Sequence, residues 1–93
     1  MEQKKRILVL ARRDHLEAMR VAAGLTIFGH EVRLVFMSQP VTEEIGTSEQ
    51  AELLELSGIE PETTVAETGE VLPLLDALQL ATALQEAEQV VNL

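Results

Sequence analysis

Four consecutive residues, Arg12, Arg13, Asp14 and His15, form the most compact polar constellation in the chain, between an apolar run and an amphipathic stretch. Two guanidiniums beside the exposed N–H groups of a helix start could hold a small anion such as phosphate, sulfate or a carboxylate. The stretch lacks the glycines with which a Rossmann or P-loop backbone wraps a phosphate, and Asp14 would itself bring negative charge to the helix end. A solvated helix cap is the competing reading of the same residues. Elsewhere the chemistry thins out. Glu43 and Glu44 have no positioned partner, neither His15 nor His30 shows metal-ligand spacing with a second ligand, and no Ser, His and Asp arrangement stands in a nucleophile elbow. The chain has no cysteine, which removes thiolate nucleophiles, persulfide carriers, disulfides and Cys-ligated zinc. No cofactor and no metal are expected, and an enzyme would need Asp14, His15 or a loop glutamate to act unsupported.

The totals narrow the setting for any site. Ninety-three residues make a single domain, 1–93, and with only Phe28 and Phe36 as aromatics the core must be built from Leu, Val, Ile and Ala. Charge is divided unevenly: residues 1–36 hold all seven Lys and Arg against four acids, giving +3, whereas residues 37–93 hold twelve acids and no base, giving −12. A chain of net charge −9 repels a phosphate backbone, and its bases are not interleaved with stacking aromatics. Nucleic acid is therefore not an expected partner. Opposite charge on two halves could steer subunits together, although a solvated acidic surface is the plainer reading. The apolar run ILVLA behind the basic MEQKKR is too short for a signal-peptide core or a membrane span, so a soluble cytoplasmic protein is expected.

The elements that must position these residues follow from periodicity. RILVLA, residues 6–11, reads as a buried parallel strand. Asp14 followed by Glu17 has capping-box spacing and opens a helix over about 15–28. That helix is apolar around more than one face, either because alanine is tolerated anywhere on a helix or because its outer face meets another subunit. Gly29 suits the left-handed position after the helix, His30 occupies the turn, and EVRLVFM is the next strand. A turn there lies at the amino edge of the sheet, opposite the edge where ligands bind, so His30 is expected to be structural. SQPVTEEIGTSEQ, residues 38–50, reads as a loop at the carboxyl edge. Thr47 and Gln50 suggest a capping box for a short helix ending at Gly58, and ETTVAE, residues 62–67, a third strand. Pro73 fits the first turn of a helix reaching about residue 87, and VVNL a last strand. Strands alternating with helices predict a three-layer α/β sandwich with a mainly parallel sheet of four to five strands, flavodoxin- or Rossmann-like.

Three segments carry a resemblance. ILVLA, the small-residue helix and turn AMRVAAGLTIFGHEVRLVF, and the ending LDALQLATALQEAEQVVNL together resemble the DsrE/DsrF-like family, which includes the TusBCD sulfur-relay subunits. The resemblance covers most of the chain, through patterns of packing and turns, and the chain is shorter than is usual for the family. It implies a compact α/β sandwich that assembles into dimers, trimers or hexamers, often of related subunits. Catalytic members carry sulfur as a persulfide on a cysteine near the end of the third strand, and the corresponding GIEPETTVAET places Thr64 or a neighbour there. A threonine hydroxyl cannot pass a sulfane sulfur. The expected function is thus that of a non-catalytic DsrE-like subunit, a homo-oligomer or hetero-oligomer with related subunits in sulfur metabolism, with Leu16, Val21, Leu25 and Phe28 as interface candidates. The alternative is a small-molecule or anion-binding protein using Arg12, Arg13, Asp14 and His15.

Overall fold

The computed structural model describes residues 4–39, 41–46, 48–65 and 72–93. Strand β1 spans Arg6–Ala11, and everything in it beyond Arg6 is buried. A strand apolar on both faces is stable only between two covered faces, and β1 has them, feeding both core clusters. Helix α1, His15–Ile27, buries Ala18, Met19, Ala22 and Ala23 against the sheet, small side chains that let the helix approach closely. It ends in a Schellman motif: Gly29 sits at φ 91, its N–H donates to Thr26 O at 2.9 Å, and His30 N–H donates to Leu25 O at 3.2 Å. Strand β2, Glu31–Phe36, then runs parallel to β1, with Arg6 against Glu31 and Ala11 against Phe36.

Two short helices follow, α2 over Glu43–Gly46 and α3 over Glu49–Ser57. Part of the stretch expected to be loop is therefore helical. The N-cap of α3 is Ser48, whose side chain accepts from Ala51 N–H; Thr47, the expected cap, lies outside the described residues. Gly58 ends α3 in the left-handed region at φ 77, as its place after the apolar run suggested. Strand β3 is only Glu62–Thr63, paired with Val35 and Phe36; of the expected ETTVAE, Ala66 and Glu67 lie outside the described residues.

The helix expected to begin at Pro73 begins later. Asp76 and Gln79 form a reciprocal capping box at 2.7 and 2.9 Å that opens α4, Ala77–Glu86. Pro73 and its neighbours serve β3 instead. Thr63 N–H donates to Pro73 O at 3.0 Å and Leu75 N–H donates to Thr63 O at 2.8 Å, so Leu74 lies beside Thr63 as a one-residue continuation of the sheet. Strand β4, Gln89–Asn92, pairs parallel with β1 on its other side.

The sheet is all parallel, in the order β3-β2-β1-β4, between helices. This is the α/β sandwich that the alternation of elements implied. Right-handed crossovers put α1 and α3 on one face and α4 on the other. One core cluster joins Ile7, Val9, Leu34 and Phe36 to α1 and to Leu54 of α3, and the other joins Leu8, Leu10 and Val35 to Leu75 and Ala83. Among the described residues no helix is long and apolar enough to cross a membrane.

Candidate functional site

The carboxyl edge of a parallel sheet is the usual place for a ligand in such folds. Arg12, Arg13 and Asp14 occupy it, in the turn between β1 and α1. Their backbone is already engaged: the N–H groups of Arg13 and Asp14 donate to Leu93 O at 3.2 and 3.0 Å. The Asp14 carboxylate accepts from Glu17 N–H at 3.0 Å and caps α1. An anion would therefore find few free amides here. What remains is the pair of guanidiniums, exposed and without an ion pair among the described residues.

His15 parts from the other three. It is the first residue of α1 and lies on the stripe that also holds Met19 and Ala22, so it turns into the core and is 4% exposed. Its ring meets Phe36 edge to face at a centroid distance of 4.9 Å. Nε2 lies 3.4 Å from Met37 O, and Nδ1 is buried without a hydrogen-bond partner among the described residues. The same Met37 carbonyl accepts from Gln39 N–H at 2.8 Å, with Ser38 between them at φ 72, the pattern of the rarer and strained γ-turn. The sequence-predicted constellation is thus split into an exposed arginine pair and a core histidine. The i, i+4, i+7 spacing of His15, Met19 and Ala22 was the signal for that.

Thr64 follows β3 directly and lines a cavity of about 420 Å³ with Leu74, Leu75, Asp76, Ala77 and Leu80. Its backbone N–H donates to Phe36 O at 3.0 Å. Its described lining is Leu and Ala apart from Thr64 and Asp76, and the Asp76 carboxylate caps α4. Nothing among its described lining residues activates the hydroxyl as a nucleophile.

A second depression, about 300 Å³, lies at the opposite, amino edge between the sheet and the last turns of α4. Arg33 dominates it. Its guanidinium holds Glu62 through two bonds of 3.1 and 3.0 Å and lies 3.9 Å from Glu86, contacts that raise its pKa above the usual arginine value, the Glu62 hydrogen bonds most of all. Sequence reading did not single out this cluster, because its members come from β2, β3 and α4. His30, at the same edge, accepts from Lys5 N–H through Nδ1 at 3.1 Å, a structural role at the turn.

Of the interface candidates, Leu16 is 40% and Phe28 72% exposed, Val21 is half-buried, and Leu25 packs against the larger core cluster. Phe28, the C-cap, lies twelve positions after Leu16 and about 120° further round the helix, so the two stand on different flanks. Among the described residues no group of three or more His, Cys, Asp or Glu is placed to hold a metal ion.

Fold and geometry define a small α/β domain with a parallel sheet and no assembled reaction centre among the described residues. A scan against protein-family models, a search of curated proteins and a search of solved structures found no match.

Proposed function

We propose that this chain is a non-catalytic subunit of the DsrE/DsrF-like kind, serving intracellular sulfur transfer by assembling with other subunits and not by carrying sulfur itself. The observation that carries this reading is the placement of Thr64. It stands at the carboxyl end of β3 beside a cavity, where the resemblance puts the sulfur-bearing cysteine of catalytic members. A hydroxyl forms no persulfide, and Asp76, the carboxylate in the same cavity, is committed to its cap. Assembly has support in the side chains left uncovered at the end of α1, where Ile27 and Phe28 are 71% and 72% exposed.

The test mixes the purified chain with a cysteine-bearing DsrE-like subunit and follows complex formation by native mass spectrometry and sulfane sulfur by thiol labelling. A complex in which sulfur stays on the partner is the expected result. Sulfane sulfur carried by this chain alone contradicts the non-catalytic role, and the absence of any complex, with itself or the partner, contradicts assembly.

A second reading, a small-anion site, is favoured by the guanidiniums of Arg12 and Arg13, exposed and without an ion pair among the described residues. It predicts that phosphate or sulfate raises the melting temperature of the wild-type chain and not of the Arg12→Ala, Arg13→Ala variant. Equal shifts in both sink it.

A further inference from the structure

We propose that two copies of this chain pair antiparallel through the outer edge of β4, giving a two-fold dimer whose sheet runs on through eight strands. This deepens the assembly reading above and rests on it.

The first ground is the edge itself. Strand β4 ends the strand order, and among the described residues it pairs only with β1. An open edge offers a row of unpaired N–H and C=O groups, and soluble proteins guard such rows with charge, proline or a covering segment. QVVN has neither charge nor proline.

The second ground is the surface beside it. Val90 is in register with Leu8, so it points to the α4 face, where it remains 37% exposed. Leu84 is 40% exposed, and Ala81 lies on the same flank of α4. Residues 77–85 and 89–93 contain no charged side chain in a chain of net charge −9. Here two copies can meet without bringing acids together.

The third ground is charge complementarity, and it selects both the occupant and the direction. Arg12 and Arg13 lie at the carboxyl end of β4, because their turn donates to Leu93 O. Glu88 lies at its amino end, its half-exposed carboxylate accepting from Arg6 N–H at 3.2 Å and standing 3.7 Å from the Arg6 guanidinium, and the exposed Glu86 precedes it at the end of α4, 3.9 Å from Arg33. Antiparallel pairing sets each copy's arginines beside the other's glutamates, twice over, as a self-complementary two-fold interface requires. With Val90 opposite its own symmetry mate, Glu88 falls opposite Asn92 and within side-chain reach of that arginine end. Parallel pairing would bring like charges together. Four-residue strands and a narrow apolar flank make a small interface, so the dimer is a weak one, on the order of micromolar.

Sedimentation velocity and native mass spectrometry over a concentration series test this. The wild-type chain is expected to dimerise, several-fold more weakly at 0.5 M salt than at ~0.1 M. Val90→Lys should weaken the dimer by roughly a hundredfold while leaving the circular dichroism spectrum unchanged. Arg12→Glu with Arg13→Glu, and separately Glu86→Arg with Glu88→Arg, should each be monomeric, and mixing the two variants should restore a dimer of one copy of each. A chain that is monomeric alone and yet binds a cysteine-bearing relative overturns this inference and leaves the assembly reading standing. So does a self-dimer abolished by Phe28→Glu and untouched by Val90→Lys or the charge reversals.

Discussion

The two edges of the sheet are built differently. At the β3 edge two strand residues suffice, because the segment before α4 folds back on them: Thr63 exchanges backbone hydrogen bonds with Pro73 and Leu75. Leu75, 8% exposed, anchors that cover in the smaller core cluster. At the β4 edge four uncharged residues lie open, flanked by a helix that buries only Ala83. One edge is closed by the chain's own backbone, and the other is open among the described residues. Sealing an edge costs a few residues of irregular backbone, whereas leaving one open and uncharged is a hazard unless it has a partner.

The comparison can be broken most severely at Leu75. Leu75→Ala removes the apolar anchor of the cover and should lower the unfolding free energy by about 2–4 kcal/mol in urea melts, with hydrogen exchange at Leu75 and Thr63 rising in step. Thr63→Val is smaller. The buried Thr63 hydroxyl donates to Phe36 O and accepts from Val65 N–H. Phe36 O keeps a donor in Thr64 N–H, and only Val65 N–H loses its acceptor, so about 1–2 kcal/mol should be lost. Asp76→Ala breaks the capping box and should cost about 1 kcal/mol. It should loosen α4 against both edges, read as faster amide exchange at Gln79. Val90→Lys, at the open edge, should change monomer stability by less than ~0.5 kcal/mol in dilute solution. A loss as large as that at Leu75 would mean that β4 is a core strand and not an assembly edge.

The smallest effect lies away from both edges. The Arg20 guanidinium, bonded to Glu17, holds the Glu17 carboxyl below its ordinary pKa. A depressed carboxylate contributes above its unfolded-state pKa, and the contribution is lost as the pH falls through the folded value. An NMR titration should show the Glu17 midpoint rising toward the ordinary value in Arg20→Ala. Both side chains are exposed, so thermal stability at neutral pH should hardly move.

Much of the architecture was readable before any coordinates. β1 and β2 are apolar runs between charges, and Gly29 and Gly58 stand where a left-handed residue must follow a helix. What failed to show was decided by distant pairing. Pro73 reads locally as a helix start, and only its bond with Thr63 makes it part of an edge. Arg12 and Arg13 stand exposed beside the helix start, yet the capture of the Arg13 and Asp14 amides by Leu93 O joins residues some eighty positions apart. His15 is set apart by its own helix. Locally it reads as one of four polar neighbours, whereas its helical spacing with Met19 puts it in the core. The sulfur-related role rests on the resemblance and on Thr64.

The pairing of β1 with β4 has a consequence in time. Ile7 waits for Gln89 and Leu10 for Asn92, among the longest loop closures available to a chain of this length, and such closures slow folding. During synthesis β1, α1 and β2 can form while one side of the central strand still lacks its neighbour. Any release, stalling or cleavage before residue 89 would leave the edge of β1, with Leu8 and Leu10 beside it, exposed to other nascent chains. Until β4 docks, the uncovered edge of β1 is itself a site at which other chains can pair.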